Sequence, residues 1–301
     1  MQVLSSAECY CPASDVWQRL PSMLQPRTES RGVVTIDKTL YIVDGLDYYD
    51  EIDDGEMKFR PEPALEPYAE KYDPMLQAWT ALPERLGPRP VIYLSVAAFN
   101  SQLYLVGGLY LTTRHNVGRD VSLGLVQRYT PVSNTWEMLE SMRHSRHLAV
   151  ATAIGGQIYV FGGESTQKNY PYGTNYVECY DPAKSVWQSL KPMPVPLGRW
   201  FSVVTLGCNK HVYVIGQDLT QTFNSDTGKC NPPRGFAACF DSSAGCWKVL
   251  PSPSFAQPLR MTLAVGGSVR GRRRLSLGSV LLEEEAEPVA SSSTRSSSSS
   301  Q

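Results

Sequence analysis

The chain has 301 residues, a formal net charge of −1, 42% hydrophobic residues and 10% aromatic residues. This composition allows a sizeable buried core, and the balanced charge gives no support to nucleic-acid binding. The N-terminus has no basic start followed by an apolar run, and no stretch of about 18 apolar residues occurs, which argues against secretion and against a membrane span. We therefore expect a globular protein of the cytoplasm. The seven cysteines include no C-x-x-C pair, so reduced core residues are expected and not a zinc site.

The first recurring element is a phrase in which an aromatic residue precedes a tryptophan by seven positions. Asp-Pro or a related pair and then small polar residues lie between the two, and these residues favour tight turns. Each copy therefore predicts a strand, a turn and a second strand, with the tryptophan as a structural core residue. The five copies pair Tyr10 with Trp17, Tyr72 with Trp79, Tyr129 with Trp136, Tyr180 with Trp187, and Phe240 with Trp247.

Two further elements precede four of these phrases. One is a continuous apolar strand that ends in glycine, at 39–45, 102–108, 157–163 and 211–217. Its complete glycine pairs, Gly107-Gly108 and Gly162-Gly163, indicate positive φ or a close backbone approach. The other element is rich in small residues, at 33–36, 94–99, 148–154 and 201–206, and it predicts a strand in a crowded, innermost position.

The spacing predicts an all-β chain with units of four antiparallel strands, which bury both faces when they stack around an axis as a β-propeller. The glycine pair, the tyrosine and the tryptophan at these intervals resemble the kelch repeat. The closest resemblance is to the C-terminal kelch domain of kelch-like proteins, in which BTB and BACK domains precede a six-bladed propeller. Neither companion domain is evident. About five blades are recognisable, so the propeller is expected to be truncated relative to the usual six.

The expected kelch-repeat domain comprises residues 1–267, with units ending near 20, 82, 139, 190 and 250. In the family, a C-terminal innermost strand closes the first blade, and residues 259–265 could supply it. Residues 268–301 carry basic, acidic and serine runs, which predict a disordered tail. Ser276 follows an arginine cluster in this tail and is a possible phosphorylation site for a basophilic kinase.

In each predicted unit, the loop between the second and third strands lies at the same end as the link to the next unit. These segments vary in length and combine acidic, basic and aromatic residues, as partner-binding surfaces often do. The alternative interpretation is a solvated, charged set of loops. The predicted partner-binding residues are Tyr48, Tyr49, Asp50, Asp53, Arg89, Tyr110, Arg114, Arg143, Arg146, Tyr170, Tyr172, Arg199 and Trp200.

The resemblance implies a non-catalytic protein-interaction module, similar to the substrate-recognition propeller of a cullin-RING ubiquitin ligase adaptor. Cullin itself would be reached only through a BTB domain, which is not seen in this sequence. One alternative is binding to actin, as in several kelch proteins. A remote alternative is a copper oxidase, which would need clustered His and Tyr ligands, whereas the chain has four histidines and no such cluster. We therefore expect no enzyme activity, no cofactor and no metal.

Overall fold

The computed structural model contains 25 strands and no helix among the residues that it describes. All of these residues belong to one compact unit, Met1–Gly266. The described residues are 4–27, 32–43, 49–53, 56–59, 69–88, 91–111, 120–166, 173–197, 201–205, 210–218, 223–224, 229–230 and 234–251.

Four four-stranded sheets form the body of the protein, and in each the strands are hydrogen-bonded in chain order. All pairings are antiparallel. The strands are Gly32–Ile36, Thr39–Val43, Ala69–Asp73 and Ala78–Ala81 in sheet I; Ser95–Phe99, Gln102–Val106, Val126–Thr130 and Thr135–Leu139 in sheet II; Val150–Ile154, Gln157–Phe161, Val177–Asp181 and Val186–Ser189 in sheet III; and Phe201–Thr205, His211–Asp218, Arg234–Asp241 and Cys246–Val249 in sheet IV.

The remaining strands are short pieces around this body. They are the N-terminal hairpin, Ala7–Cys11 with Val16–Leu20; a hairpin of Tyr49–Asp53 with Glu56–Phe59; a three-stranded sheet of Val91–Ile92, Leu109–Tyr110 and Val121–Ser122; and a hairpin of Phe223–Asn224 with Lys229–Cys230. The N-terminal hairpin corresponds to the third and fourth strands of a further unit, as the phrase at Trp17 predicts.

The first strand of each sheet contacts the first strand of the next. The small-residue strands are therefore innermost, as the sequence predicts, and the tryptophan strands are outermost. Apolar side chains fill the spaces between sheets; for example, Phe161 of sheet III and Phe240 of sheet IV belong to one buried cluster. The predicted all-β fold of four-stranded antiparallel units is confirmed.

The repeated phrase forms the same turn in every unit. The aromatic residue pairs directly with the tryptophan across the strands, as Tyr180 does with Trp187. The Asp181 carboxylate accepts the main-chain N–H groups of Ala183 at 3.0 Å and Lys184 at 3.2 Å, so this side chain closes the turn. The residue two places before each tryptophan has positive φ, between 49° and 63°, at Asp15, Gln77, Asn134, Ser185 and Gly245.

The repeat tryptophans of sheets I to IV also link each sheet to the unit that precedes it in the chain. The indole N–H donates to a carbonyl that lies four residues after the preceding tryptophan, with distances of 2.8 to 3.0 Å. The pairs are Trp79 with Pro21, Trp136 with Pro83, Trp187 with Glu140, and Trp247 with Lys191.

Trp17 differs from the expectation of a buried structural tryptophan, because it is 60% exposed whereas Trp187 is 5% exposed. Its ring packs on Tyr10 with a centroid distance of 5.3 Å, but no other sheet covers this flank among the described residues.

A buried acid or amide on the third strand forms a second inter-sheet link. Glu178 accepts the main-chain N–H of Arg143 at 3.0 Å and forms an ion pair with the guanidinium of Arg146 at 3.0 Å. Glu70 binds the N–H of Leu24 at 2.7 Å and the guanidinium of Arg27 at 2.9 Å. The N–H donors lie seven residues after a repeat tryptophan and the arginines ten residues after it.

Sheet II keeps part of this link, and sheet IV replaces all of it. The amide of Gln127 accepts the N–H of Leu86 at 2.8 Å. In sheet IV, Ala238 replaces the acceptor. The segment that leads into sheet IV has Pro194 and Leu197 at the two donor positions, and proline has no N–H. Leu197 and Ala238 are both fully buried in one apolar cluster. The acceptor and its donors are therefore present together or absent together.

Candidate partner-binding face

The two ends of the sheets differ in construction. One end, which we call the turn face, carries the short turns after the first and third strands. The other end, the loop face, carries the loops between second and third strands and the links between sheets. The added strands at 109–110, 121–122 and 91–92 form one small sheet there, so a loop of sheet II pairs with the link that enters sheet II.

Tyr110 is the predicted contact residue in this small sheet. It pairs with Val121 on one side and Val91 on the other, and its side chain is partly buried. Its ring packs against the buried cluster that includes Val43 of sheet I and Leu105 of sheet II. The loop of sheet II is therefore anchored to the core between the two sheets, which fixes the position of Tyr110 before any partner binds.

A polar cluster joins the loops of sheets II and III. The Ser122 hydroxyl lies 3.0 Å from Nδ1 of His147, and Nε2 of His147 lies 3.8 Å from the Glu164 carboxylate. The Thr166 N–H donates to the Ser122 hydroxyl oxygen at 2.9 Å, and the Ser122 N–H donates to the Thr166 hydroxyl at 3.0 Å. Tyr93 stacks on the His147 ring with a centroid distance of 6.2 Å.

The Ser122, His147 and Glu164 side chains are those of a hydrolytic triad, but their geometry serves another role. Ser122 is 5% exposed and His147 8% exposed, so a substrate carbonyl has little access to the hydroxyl. A nucleophilic serine also needs a free line of attack, whereas this hydroxyl oxygen already accepts the Thr166 N–H. The cluster fixes two loops to each other and to the link between sheets.

The sequence predicts Arg146 on the partner-binding surface, and that prediction is wrong for this side chain. It is fully buried, and its guanidinium binds Glu178 at 3.0 Å and the carbonyls of Tyr176 and Val160 at 3.3 and 3.4 Å. Burial lowers the pKa of Arg146 to about 10, and the Glu178 carboxylate opposes that shift. Its carbonyl also accepts the Gly108 N–H at 3.0 Å, so Arg146 joins sheet II to sheet III.

Arg143 and His144 lie in the same link but reach the surface. The main chain of Arg143 is fixed by its bond to Glu178, while its side chain is exposed. The His144 ring packs on Tyr176 with a centroid distance of 4.1 Å and is 39% exposed. Arg143, His144 and Tyr110 are thus accessible groups of the loop face.

The glycine pairs follow the sequence prediction. Gly163 has φ of +96°, and a Cβ at that position would lie 2.6 Å from the His147 carbonyl oxygen. Gly108 has φ of +111°, and a Cβ there would lie 2.5 Å from a methyl of Val91. Both positions therefore require glycine, which has no Cβ.

For the other predicted contact residues, the structure describes either the backbone alone or nothing. Tyr49, Asp50 and Asp53 lie in the hairpin strand Tyr49–Asp53, of which the structure describes the backbone. The predictions for Tyr48, Arg89, Arg114, Tyr170, Tyr172, Arg199 and Trp200, for the closing strand at 259–265 and for Ser276 fall outside the described residues.

The described residues contain no group of three or more His, Cys, Asp or Glu side chains placed to hold a metal ion. Within that same part of the chain, no helix has the length and apolar character needed to cross a membrane.

Comparison with known proteins agrees with this architecture. Residues 145–194 match the family described as the Kelch motif, and this span contains all four strands of sheet III. The solved structure of YjhT matches with a TM-score of 0.56 and 16% identity, over 79% of this chain and 69% of that chain. The fold is a kelch-type β-propeller.

The names of two relatives refer to kelch proteins. Kelch-like protein terF of Aspergillus terreus is 27% identical over 200 residues, which are 66% of this chain and 40% of that protein. Kelch repeat and BTB domain-containing protein 12 of Danio rerio is 26% identical over 190 residues, which are 62% of this chain and 28% of that protein. The chain therefore spans less than half the length of either kelch relative.

Proposed function

We propose that this kelch propeller is a non-catalytic protein-interaction module that binds a protein partner on its loop face. The observation that carries the proposal is the contrast between the two faces. The turn face repeats one aspartate-closed or related turn in each unit, whereas the loop face has loops of unequal length and added strands. Unequal loops on rigid sheets are a common basis for selective recognition.

The accessible groups of the loop face suit protein binding. Tyrosine and arginine are enriched at the centres of protein interfaces, because they bury a large area and still make hydrogen bonds. Tyr110 and Arg143 are of these types, and both have backbones held by hydrogen bonds within the loop face. The loop that contains Tyr49, Asp50 and Asp53 would add acidic and aromatic groups for a partner with basic segments.

The finer proposal is that the bound partner is a substrate of a cullin-RING ubiquitin ligase in the cytoplasm. The name of the Danio rerio relative joins kelch repeats to a BTB domain, and in kelch-like adaptors the BTB domain contacts cullin. The 301 residues would then provide the recognition half of such an adaptor. Binding to actin is the second candidate, because several kelch proteins bind filaments.

The test is proximity labelling in cells with matched surface variants. Arg143→Ala changes the loop face, Arg199→Ala changes a residue that the sequence predicts there, and Lys184→Ala removes an exposed cation, 75% accessible, from the turn face. We expect the two loop-face variants to lose a shared set of labelled partners and Lys184→Ala to keep it. Arg146 is unsuitable, because its substitution would disturb the joint between sheets.

Two outcomes would overturn the proposal. Retention of every partner by both loop-face variants would exclude this face, and equal loss in Lys184→Ala would show that binding is not selective for it. Cosedimentation with filamentous actin discriminates the second candidate from the first. Pull-down of cullin by the 301-residue protein alone would contradict recruitment through a BTB domain.

A further inference from the structure

His144 lies in the link between sheets II and III, with one ring nitrogen buried and part of the ring at the surface. Its Nδ1 is buried and lies 3.5 Å from Oε1 of Glu178, a carboxylate that is itself fully buried. The ring packs on Tyr176 with a centroid distance of 4.1 Å, and 39% of the His144 side chain is exposed. Since Nδ1 is covered, Nε2 is the ring nitrogen that a partner on the loop face can reach.

The Glu178 carboxylate determines which nitrogen of the neutral His144 ring carries the proton. A neutral imidazole has one N–H and one lone pair, and the contact made by one nitrogen fixes the role of the other. A lone pair on Nδ1 would face the carboxylate oxygen at 3.5 Å with no solvent between them, and that contact is repulsive. An N–H on Nδ1 instead directs its positive end towards the carboxylate. The neutral ring therefore carries its proton on Nδ1 and keeps a lone pair on Nε2.

The other units support a donor role for the buried side of this position. The residues eight places after a repeat tryptophan, in front of sheets I to IV, are Gln25, Gly87, His144 and Val195. The acceptor positions on the third strands of the same sheets hold Glu70, Gln127, Glu178 and Ala238. A side chain that can donate an N–H thus occurs where the third strand has a glutamate. An apolar side chain occurs in front of sheet IV, where Val195 packs against the cluster that contains Ala238.

His147, in the same link, has the opposite arrangement. The Ser122 hydroxyl oxygen accepts the Thr166 N–H at 2.9 Å, so its own proton is available for Nδ1 of His147 at 3.0 Å. Nε2 of His147 lies 3.8 Å from the Glu164 carboxylate. The neutral His147 ring therefore carries its proton on Nε2. Two histidines three residues apart are expected to be opposite tautomers, which provides an internal reference for His144.

We infer that His144 is a specificity-determining residue of the loop face, where its Nε2 accepts a hydrogen bond from an amide group of the bound partner. The adjacent Arg143 has an exposed side chain that can only donate. An amide, in the main chain or in an Asn or Gln side chain, carries both the N–H that Nε2 accepts and the carbonyl oxygen that a guanidinium binds. Glu178 is the positioning residue. The inference rests on the proposed function, because it specifies the chemistry of the group bound on the same face.

Nitrogen-15 NMR of the full chain with labelled histidine tests the tautomer without any partner. At about pH 8.5, where a free imidazole is neutral, long-range proton–nitrogen correlations should show the Nδ1–H form for His144 and the Nε2–H form for His147. The signals that disappear in His144→Gln and in His147→Gln assign the two rings. An Nε2–H form at His144 would overturn the inference and leave the proposed function untouched.

Matched substitutions at His144 test the contact, with the proteins labelled by proximity in cells as the probe. His144→Phe keeps a ring on Tyr176 but has no acceptor, so labelling of the set lost in Arg143→Ala should fall about tenfold, as for a partner N–H left unpaired. His144→Gln supplies an amide oxygen for the partner and an N–H for Glu178, and it should retain the set. Lys184→Ala on the turn face is the control, and circular dichroism should show each variant to be folded.

The outcomes separate this inference from the proposed function. Loss of the set in His144→Phe with retention in His144→Gln supports the inference. Retention of the set by His144→Phe overturns it, while the dependence on Arg143 leaves the proposed function standing. Equal loss in both variants excludes acceptance at Nε2 as the contact. If Arg143→Ala loses no partner, the proposed function fails and the inferred contact fails with it, whichever tautomer His144 adopts.

Discussion

The buried pair of Arg146 and Glu178 allows a direct test of how the sheets are joined. The joint between sheets III and IV has no charged groups at the corresponding positions, which are occupied by Pro194, Leu197 and Ala238. We therefore predict that the three changes Arg143→Pro, Arg146→Leu and Glu178→Ala together transplant the apolar joint between sheets II and III. Each change by itself should be harmful, and the three together should be tolerated.

The expected magnitudes follow from the contacts. Glu178→Ala leaves the fully buried guanidinium of Arg146 without its carboxylate and removes the acceptor of the Arg143 N–H. Removing one partner of a buried ion pair typically costs about 3–5 kcal/mol, of a domain stability of about 5–15 kcal/mol. Arg146→Leu leaves the buried Glu178 carboxylate without its guanidinium partner and should lower the free energy of unfolding by a similar amount. Replacing a buried pair by apolar residues of suitable shape is often neutral, so the triple variant should lie within about 1 kcal/mol of the wild type.

Urea unfolding followed by tryptophan fluorescence measures these free energies, with circular dichroism as the second probe. Arg128→Ala is the control, since it removes an ion pair with Glu137 whose side chains are 27% and 59% exposed, and it should cost about 1 kcal/mol or less. Additive losses across the three changes, or a triple variant less stable than Glu178→Ala, would refute the reasoning that donors and acceptor act as one unit.

Other parts of the fold give further predictions. Trp187→Ala should cost about 3–5 kcal/mol by thermal unfolding, because the ring is 5% exposed, whereas Trp17→Ala should cost about 1 kcal/mol or less. Gly163→Ala should destabilise far more than Gly156→Ala in urea, because both have positive φ but only Gly163 has backbone atoms within 3 Å of an added Cβ. Burial raises the pKa of the Cys179 thiol from 9.0 to about 12. Between pH 9 and about pH 12 the folded state keeps the thiol proton while the unfolded state loses it. The contribution of Cys179 to stability is therefore complete below pH 9 and falls towards pH 12. Urea midpoints at several pH values should show a shallower alkaline decline in Cys179→Ala than in the wild type.

The repeated units could be predicted from the sequence because each signal is local. A tryptophan seven residues after an aromatic residue fixes a two-stranded turn, since the two side chains become direct cross-strand neighbours. The structure has this pairing at Tyr129 and Trp136. The glycine pairs could also be predicted, because few residue types other than glycine adopt positive φ readily. Local spacing therefore determined the order of strands and the identity of the inner strand.

Arg146 shows where local reasoning fails. An arginine in a link between sheets has the composition of a binding residue, and its sequence neighbours Arg143 and His144 are indeed accessible. Its burial depends on Glu178, which lies 32 residues further along the chain. The signal that could have revealed the pair is the parallel replacement of both positions, by Leu197 and Ala238, in the next unit. Recognising it requires an alignment of the repeats position by position and not a search for charged loops.

The same link explains how the loop face can be both rigid and selective. The Arg146 carbonyl binds Gly108 of sheet II, and its guanidinium binds Glu178 of sheet III. Three residues earlier, the backbone of Arg143 is held by the same carboxylate, while its side chain extends into solvent. A partner that binds Arg143 therefore orders a side chain and not a backbone, which limits the entropic cost of association. The contacts that hold the sheets together thus also prepare the surface that we propose for recognition.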